Sequence, residues 1–245
     1  MARSANQHNS TIIEQNPLKE TRKLLGLQLV DKTARSTTGR PSGFYLHAGK
    51  QLLDTVLAFF GLAFIFPLLI VCAVAIRLDS SGPIFFRQLR VGQYGKLFWL
   101  FKFRTMLEQP NPNGVDITVS GDPRITAVGK WLRKFKLDEI PQLLNVLKGE
   151  MSLVGPRPEL PQYVAAYNDK HKRVLEFRPG CTCLAALAFL DEEELLAATP
   201  NPISFYADVI LPRKLDLDLA YCDSISFTTD LRLILITAVR LFRAR

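Results

Sequence analysis

The sequence predicts an α-rich α+β protein, with a small β element and interfacial amphipathic helices, that enters a membrane from one side as a monotopic protein. Three features predict this class: one long uncharged run, apolar residues at helical spacing, and one segment of alternating strand pattern. A chain of 245 residues with 48% hydrophobic content can build one sizeable domain but not two large ones. We therefore expect a polar, mobile or loosely attached extension at 1–45, a re-entrant membrane helix at 46–80 and a cytosolic or interfacial domain at 81–245.

The membrane segment is the uncharged run at residues 56–76. Its 21 residues are nominally enough to cross a hydrocarbon core of roughly 30 Å at about 1.5 Å per residue. Pro67, however, removes one backbone hydrogen bond and pushes against the carbonyl of Ala63, so the helix should bend or break there. Lys50 before the run and Arg77 after it are both basic, as expected if both ends stay on the cytoplasmic side. These features favour a re-entrant helix, with a simple span as the alternative.

The net charge of +8 arises in the first part of the chain. Residues 1–150 carry 20 basic and 11 acidic residues (+9), whereas residues 151–245 carry 11 and 12 (−1). Such a balance suits anionic lipid, nucleotide substrates or nucleic acid. No nucleic-acid motif spacing appears, and the long apolar run favours an anionic phospholipid membrane, so a nucleic-acid partner is not expected.

The four cysteines indicate a reduced, cytosol-facing protein. Cys72, Cys181, Cys183 and Cys222 form no Cys-x-x-Cys pair and have no histidine at a zinc-ligand spacing. Two interpretations of Cys181 and Cys183 stay open, a metal site and small buried hydrophobic residues, of which the second is favoured.

A short strand is predicted at residues 97–104, where side chains alternate between two faces. Phe98, Leu100, Lys102 and Arg104 share one face, so two cations project together from a hydrophobic strand. They are either a phosphate-binding pair or a solvated strand end. Residues 107–123, rich in proline, asparagine and glycine, predict a long loop that is either a lid or a surface excursion.

An amphipathic helix is predicted near the C-terminus, where apolar residues recur at intervals of three and four. The stripe consists of Leu231, Ile234, Leu235, Ala238, Leu241 and Phe242. Arg232, Arg240 and Arg243 lie off this stripe. The helix either lies in a bilayer interface or packs on the domain core.

Two adjacent carboxylates, Asp138 and Glu139, precede an apolar stripe that predicts a short helix ending before Gly149. In one interpretation Asp138 is the N-cap of this helix and Glu139 compensates its dipole. In the other, the helix start also exposes backbone N–H groups that attract phosphate, so the carboxylates lie beside a phosphate site. Neighbouring helical side chains point about 100° apart, which favours separate roles for the two acids over a shared proton.

Several motifs surround the acid pair in a fixed order. They are Lys102-Phe103-Arg104-Thr105-Met106, Asp122-Pro123-Arg124-Ile125-Thr126, Gly129-Lys130-Trp131-Leu132-Arg133, Lys136-Leu137-Asp138-Glu139, Gly155-Pro156-Arg157-Pro158-Glu159 and Arg178-Pro179-Gly180. From about residue 50 to the C-terminus, this set resembles the bacterial sugar transferase family of monotopic phosphoglycosyl transferases.

The resemblance implies transfer of a phosphosugar from a nucleotide diphosphate sugar, usually a UDP-sugar, to polyprenyl (undecaprenyl) phosphate. The products are a polyprenyl diphosphate sugar and UMP. Enzymes of this family begin glycan assembly on a lipid carrier, as in exopolysaccharide or lipopolysaccharide biosynthesis. The resemblance thus implies a catalytic domain at the cytoplasmic face of the bacterial inner membrane, and it leaves the sugar and a homo-oligomeric state open.

The family's motifs fall on particular residues of this chain. Asp138 takes the position of the nucleophile, which would form an aspartyl-phosphosugar intermediate, and Glu139 that of its acidic partner, which the family uses with Mg²⁺. Pro67 takes the position of the break in the re-entrant helix. The basic residues assigned to substrate binding are Lys102, Arg104, Arg133, Arg157 and Arg178.

The chain departs from the family's usual residues at a few positions. Phe66, Gln51 and Leu144 replace residues that are commonly Ser, Arg and Trp, and Cys181-Thr182-Cys183 follows the Arg-Pro-Gly motif. A catalytically silent membrane-bound scaffold or nucleotide-sugar sensor is therefore the alternative function.

Overall fold

The computed structural model describes residues 45, 49–107, 118, 121–189 and 192–243. The extension predicted at 1–45 lies outside the described residues except for Tyr45, and so does most of the loop predicted at 107–123. Helices α1 to α10 are, in order, Lys50–Asp79, Ala127–Lys134, Gln142–Leu147, Pro161–Val164, Asp169–Lys172, Leu184–Ala188, Glu192–Ala197, Pro202–Phe205, Leu211–Cys222 and Phe227–Arg243. Strands β1 to β4 are Phe85–Val91, Leu97–Phe103, Ser152–Val154 and Gly180–Thr182. The predicted α-rich class with a small β element is confirmed.

Helix α1 is continuous over 30 residues and passes through Pro67 without interruption. The predicted change at this proline does not interrupt the helix, and a bend there stays a prediction. Packing explains the continuity, because buried residues on both sides of Pro67, namely Ala58 and Cys72, fasten the helix to the domain. Pro67 itself is exposed, so its ring and the carbonyl it displaces lie away from that contact.

The face of α1 that does not contact the domain is strongly apolar and exposed. Phe64 is 87% exposed and Leu78 is 83% exposed, and many large hydrophobic side chains accompany them. This helix is long and apolar enough, by length and composition, to cross a membrane. A face of this kind is expected to lie in lipid rather than in water.

Strands β1 and β2 form an antiparallel hairpin that confirms the predicted alternation. Phe98 and Leu100 point into a core cluster with Ala58 and Met151. Lys102 lies on the same face of β2, one pleat further along. Arg104, in contrast, follows the last residue of the strand, so the predicted strand is one residue too long.

The second half of the chain builds a larger core from short helices. Buried residues such as Leu196, Ile210 and Leu215 form it. Strands β3 and β4 pair in parallel, and the carbonyl of Pro156, just after β3, accepts from the N–H of Gly180 on β4.

Helix α10 packs on the domain, which is one of the two alternatives predicted for it, and its place in a bilayer interface stays a prediction. Leu233 is buried in the core, and the Thr237 hydroxyl lies 2.7 Å from that of Thr182 on β4. On the opposite side Leu231, Leu235 and Val239 are exposed, each one turn from the next. The helix therefore packs on the domain and still presents an apolar stripe.

Candidate active site

A cavity of about 920 Å³ opens between the β1–β2 hairpin, the acid pair and helices α7 and α9. This volume lies within the range of ligand pockets, which is about 300–1,000 Å³. Nine Lys and Arg side chains and five Asp and Glu side chains are among its described lining residues. A lining with this excess of positive charge suits an anionic ligand.

The acid pair lies on a short 3₁₀ turn, Leu137–Glu139, which follows Lys136 in the left-handed conformation (φ 53°). Helix α3 starts only at Gln142, after Pro141, and no side chain caps it. The interpretation of Asp138 as an N-cap is therefore wrong. Ile140 and Pro141 both have helical backbone angles, but the N–H of Ile140 bonds within the preceding 3₁₀ turn and Pro141 has no N–H, so α3 starts later than the apolar stripe suggests.

Two of the backbone N–H groups at this point already have acceptors. The N–H of Glu139 donates to the carbonyl of Lys136, and the N–H of Ile140 donates to that of Leu137. The other end of α3 agrees with prediction, because Gly149 follows it with a φ of +75°. Fewer N–H groups than predicted are thus available to a phosphate here.

Glu139 is held by two cations. Lys102 Nζ donates to its Oε1 over 2.8 Å, and Arg157 Nη2 donates to the same oxygen over 3.4 Å. Burial disfavours the ionised carboxylate, but the charges of Lys102 and Arg157 outweigh it and hold the pKa of Glu139 well below its usual range. In return, the charge of Glu139 raises the pKa of Arg157. Glu139 is therefore a fixed negative charge that places two cations in the cavity.

Asp138 differs from Glu139 in its hydrogen bonding and in the direction of its pKa shift. Its side chain is only 7% exposed, and no described residue donates a hydrogen bond to its Oδ1. Burial, and next the charge of Glu139, raise the pKa of Asp138, while Lys102 opposes this shift. A carboxylate that lines an electropositive cavity with a free oxygen is a candidate nucleophile. The two acids do have separate environments, as their adjacent positions predicted.

Asn145 on α3 fixes the acid pair against the hairpin. This fully buried amide accepts from the N–H of Phe101 over 3.1 Å and donates to the carbonyl of Trp99 over 2.7 Å. Both partners lie on β2, so α3 and the turn before it cannot slide along the strand. The contact between Lys102 and Glu139 is thereby set by the backbone and not only by the two long side chains.

The remaining predicted cations fall in different places. Arg133 and Arg157 line the cavity with Lys102, and Arg133 forms an ion pair with Glu193. Arg104 also lines it, and is buried. Arg178 is not among the lining residues, because its guanidinium donates to Gln51 over 2.9 Å. The structure thus brings four of the five predicted cations to one cavity.

The far side of the cavity contains residues that the sequence did not point to as site residues. Tyr206 donates to Oε1 of the buried Glu159 over 2.8 Å, and Arg90 Nη1 lies 3.4 Å from the other oxygen of that carboxylate. Lys214 donates to Glu192 over 2.8 Å. Glu159 belongs to the Pro-Arg-Pro-Glu motif, which was the one signal for this network. Nothing in the sequence around Tyr206 or Lys214 indicates that these residues belong to this network.

The cysteines are structural. Cys72, Cys183 and Cys222 are buried, and Cys183 Sγ accepts from the N–H of Ala186 at the start of α6. Within the described ranges, no group of three or more His, Cys, Asp or Glu side chains could hold a metal ion. The favoured interpretation of Cys183 as a small buried residue is confirmed.

Asp218 contacts the backbone of the Pro156–Pro158 segment, and its raised pKa predicts that the stability of the protein depends on pH. Its Oδ2 accepts from the N–H of Arg157, and burial raises its pKa from 3.8 to about 7. Between these values the folded protein keeps a proton that the unfolded chain has lost. The stabilisation is therefore complete below about pH 4 and is lost as the pH rises to 7, by about 1.4 kcal/mol for each pKa unit.

We expect Asp218→Asn to remove this loss, so that wild type becomes less stable relative to the variant between pH 4.5 and 7.5 in denaturant titrations. A constant difference across that range would contradict the shift.

Comparison with known proteins agrees with this geometry. The family model described as bacterial sugar transferase matches residues 45–244. The uncharacterized sugar transferase EpsL of Bacillus subtilis (strain 168) is 37% identical over 188 residues, which are 77% of this chain and 84% of that protein. The UDP-glucose:undecaprenyl-phosphate glucose-1-phosphate transferase of Xanthomonas campestris pv. campestris is 35% identical over 80% of this chain. The protein of the same name from Caulobacter vibrioides is 44% identical over 56% of this chain.

The chain spans 39% of the Xanthomonas protein and 52% of the Caulobacter protein, so it corresponds to a part of each. The family match, in contrast, covers the whole region that builds the cavity, the membrane helix and the hairpin. This protein therefore belongs to the bacterial sugar transferase family.

Proposed function

We propose that this protein is a phosphoglycosyl transferase that moves a phosphosugar from a UDP-sugar to undecaprenyl phosphate and so initiates glycan assembly. One observation carries the proposal: Asp138 is buried, its Oδ1 has no hydrogen-bond partner among the described residues, and it lines one cavity with Lys102, Arg133 and Arg157. The names of the Xanthomonas and Caulobacter relatives support the donor and acceptor classes.

The reaction would proceed in two displacements. An Asp138 oxygen attacks the phosphorus that bears the sugar, the bond from that phosphorus to the oxygen of UMP breaks, and UMP leaves with the electron pair. A phosphate oxygen of the acceptor then attacks the same phosphorus, breaks the acyl-phosphate bond and regenerates the Asp138 carboxylate. The cations lower the repulsion between the carboxylate and the diphosphate and stabilise the negative charge on departing UMP.

Glu139 also fits Mg²⁺, the proposed cofactor. This ion is usually bound by one or two carboxylates together with substrate phosphates and water, and Glu139 would provide one such carboxylate next to the nucleophile. Because the described residues offer no larger ligand group, the ion would depend on the donor diphosphate for further ligands. When bound, Mg²⁺ would neutralise charge on that diphosphate.

The protein would lie at the cytoplasmic face of the bacterial inner membrane, with both ends of α1 on that side. The packing of α1 supports this, since residues near both ends contact the same domain. Asp54 accepts from the Ser152 hydroxyl and the Leu153 N–H, and Asp79 accepts from the N–H of Val128. A helix that spans the bilayer would place one of these two contacts, and the part of the domain that makes it, on the far side of the membrane.

Accessibility labelling tests this topology. Single cysteines at the exposed positions 51 and 81, in a chain whose four native cysteines are replaced, should both react with an impermeant maleimide from the cytoplasmic side of inverted vesicles. Labelling of the two positions from opposite sides would instead establish a span. A cysteine at the exposed position 64, near the middle of α1, serves as the lipid-protected control.

Incubation of the purified full chain with Mg²⁺, undecaprenyl phosphate and a panel of UDP-sugars tests the function. Release of UMP with formation of a lipid diphosphate sugar is the expected result. Tight binding of a UDP-sugar without UMP release or a trapped adduct would instead select the sensor or scaffold alternative.

A further inference from the structure

We propose that Arg104 binds the phosphate group of the lipid acceptor, at a subsite distinct from the cations that engage the donor diphosphate. This inference rests on the proposed function and divides the cavity between its two substrates. The acceptor phosphate would lie on the side of the cavity where the β1–β2 hairpin meets the C-terminal end of α1.

Arg104 is a buried cation whose guanidinium is only partly hydrogen-bonded. Its side chain is 4% exposed, and its Nη2 donates to the carbonyl and the hydroxyl of Ser80 over 2.7 and 2.9 Å. Its Nε and Nη1 have no hydrogen-bond partner among the described residues. Buried donors without acceptors are costly, so a phosphate oxygen that accepts from one of these two groups would lower the cost.

The other buried or half-buried cations of the cavity already face carboxylates. Lys102 and Arg157 contact Glu139, and Arg133 contacts Glu193. The same is true of Arg90 and Lys214, which contact Glu159 and Glu192. Among the described lining residues, Arg104 is thus the buried cation that has no carboxylate within ion-pair distance. The donor-side cations, in contrast, are already organised around the acid pair.

The position of Arg104 matches a phosphate that arrives from the membrane. It lies two residues beyond Lys102, or about 7 Å along an extended chain. Its partner Ser80 is the first residue after α1, so the guanidinium is fastened to the end of the membrane helix. The neighbouring lining residues Phe85 and Phe86 are 46% and 44% exposed and offer an apolar surface to an isoprenoid chain.

Gly82 makes room for this guanidinium. A Cβ at Gly82 would lie 2.3 Å from Arg104 Nη1, and the residue has a φ of +120°, which strains any other side chain. The Ser80–Gly82 segment is therefore shaped to seat Arg104 against the backbone. This is a built site and not a side chain in open solvent.

Separation of the two half-reactions tests the proposal. Without acceptor, the wild type and Arg104→Gln should both release about one UMP per enzyme, because the first displacement does not use Arg104. On addition of undecaprenyl phosphate, transfer by Arg104→Gln should be slower by about 10- to 100-fold, as expected for lost charged hydrogen bonds. Lys102→Gln is the matched control, since it should slow the UMP burst itself.

The opposite patterns overturn the proposal. If Arg104→Gln slowed the UMP burst and the transfer to undecaprenyl phosphate equally, Arg104 would act on the donor. If neither rate changed, Arg104 would have no role in either step. Ser80→Ala, which removes one hydroxyl contact, should raise the acceptor KM and leave the donor KM unchanged. Thermal unfolding of each variant shows whether the fold is kept.

A binding measurement separates this proposal from the proposed function. Farnesyl phosphate should quench the fluorescence of Trp99, which lines the cavity, with lower affinity in Arg104→Gln than in wild type. This readout needs no turnover, so it stays informative if no UDP-sugar is a substrate. Equal affinity of wild type and variant would overturn the proposal even in an active enzyme.

Discussion

Replacement of Asp138 by asparagine should abolish UMP release and phosphosugar transfer, with a loss of about 10³-fold or more. Asparagine keeps the shape of the side chain but removes the carboxylate oxygen that would attack phosphorus. The buried Asp138 side chain accepts no hydrogen bond at Oδ1 from the residues that the structure describes, so little structural support is lost with it. Its pKa is raised by burial, so the neutral replacement should also be tolerated by the fold. The measurement is the initial rate of UMP release with Mg²⁺ and both substrates.

Asp54→Asn is the matched control for this experiment. Asp54 is buried like Asp138, but it lies on α1 and is not among the cavity-lining residues. Its partners tolerate the change, because the amide oxygen can accept from the Leu153 N–H while the Ser152 hydroxyl keeps its bond to the Val154 carbonyl. We expect Asp54→Asn to retain activity. Full activity in Asp138→Asn would sink the assignment of the nucleophile.

Local patterns predicted those parts of the molecule that depend on neighbouring residues. The alternation of residues 97–104 gave the correct faces of β2, since strand faces follow directly from a period of two. It also placed Lys102 on the face where Glu139 binds it. The motifs around the acid pair identified the family correctly, because they combine several short patterns in a fixed order.

Rules that consider one residue at a time failed where tertiary structure decides. Pro67 predicts a bend or break, but contacts on both sides of it keep α1 one continuous helix. Asp138 has the pattern of an N-cap, but α3 begins beyond Pro141. Arg178 donates to Gln51 and is not among the cavity-lining residues, so its assignment to substrate binding stays a prediction. In each case the partner that decides the outcome lies outside the pattern.

The far wall of the cavity could not be predicted for a related reason. Glu159 meets Tyr206 across 47 residues, and Lys214 meets Glu192 across 22. Neither pair has a sequence spacing that a helix or strand would bring together. Only the packing of the short helices α7 to α9 places these side chains in one wall, and that packing depends on a core distributed over much of the second half of the chain.

The largest effect on stability is expected from Asp230, which ties the start of α10 to the start of α1. This carboxylate is 1% exposed and accepts from Lys50, from the Tyr45 hydroxyl over 2.7 Å and from the Tyr221 hydroxyl over 2.6 Å. Asp230→Ala leaves Lys50 and both hydroxyls without their acceptor in a buried place. Breaking a buried ion pair on one side costs about 3–5 kcal/mol, and we expect this loss in the free energy of unfolding.

A second lysine–aspartate pair in the same chain provides the control for Asp230. Lys170 and Asp216 are 2.6 Å apart, but both side chains are more than half exposed. Water screens such a pair, so Asp216→Ala should cost only about 1 kcal/mol or less. Denaturant unfolding of both variants in one detergent, with urea as the denaturant, gives the comparison. Equal losses would show that Asp230 does not act as a buried anchor, whereas the expected inequality would identify it as the contact that fixes the membrane helix to the domain through Lys50.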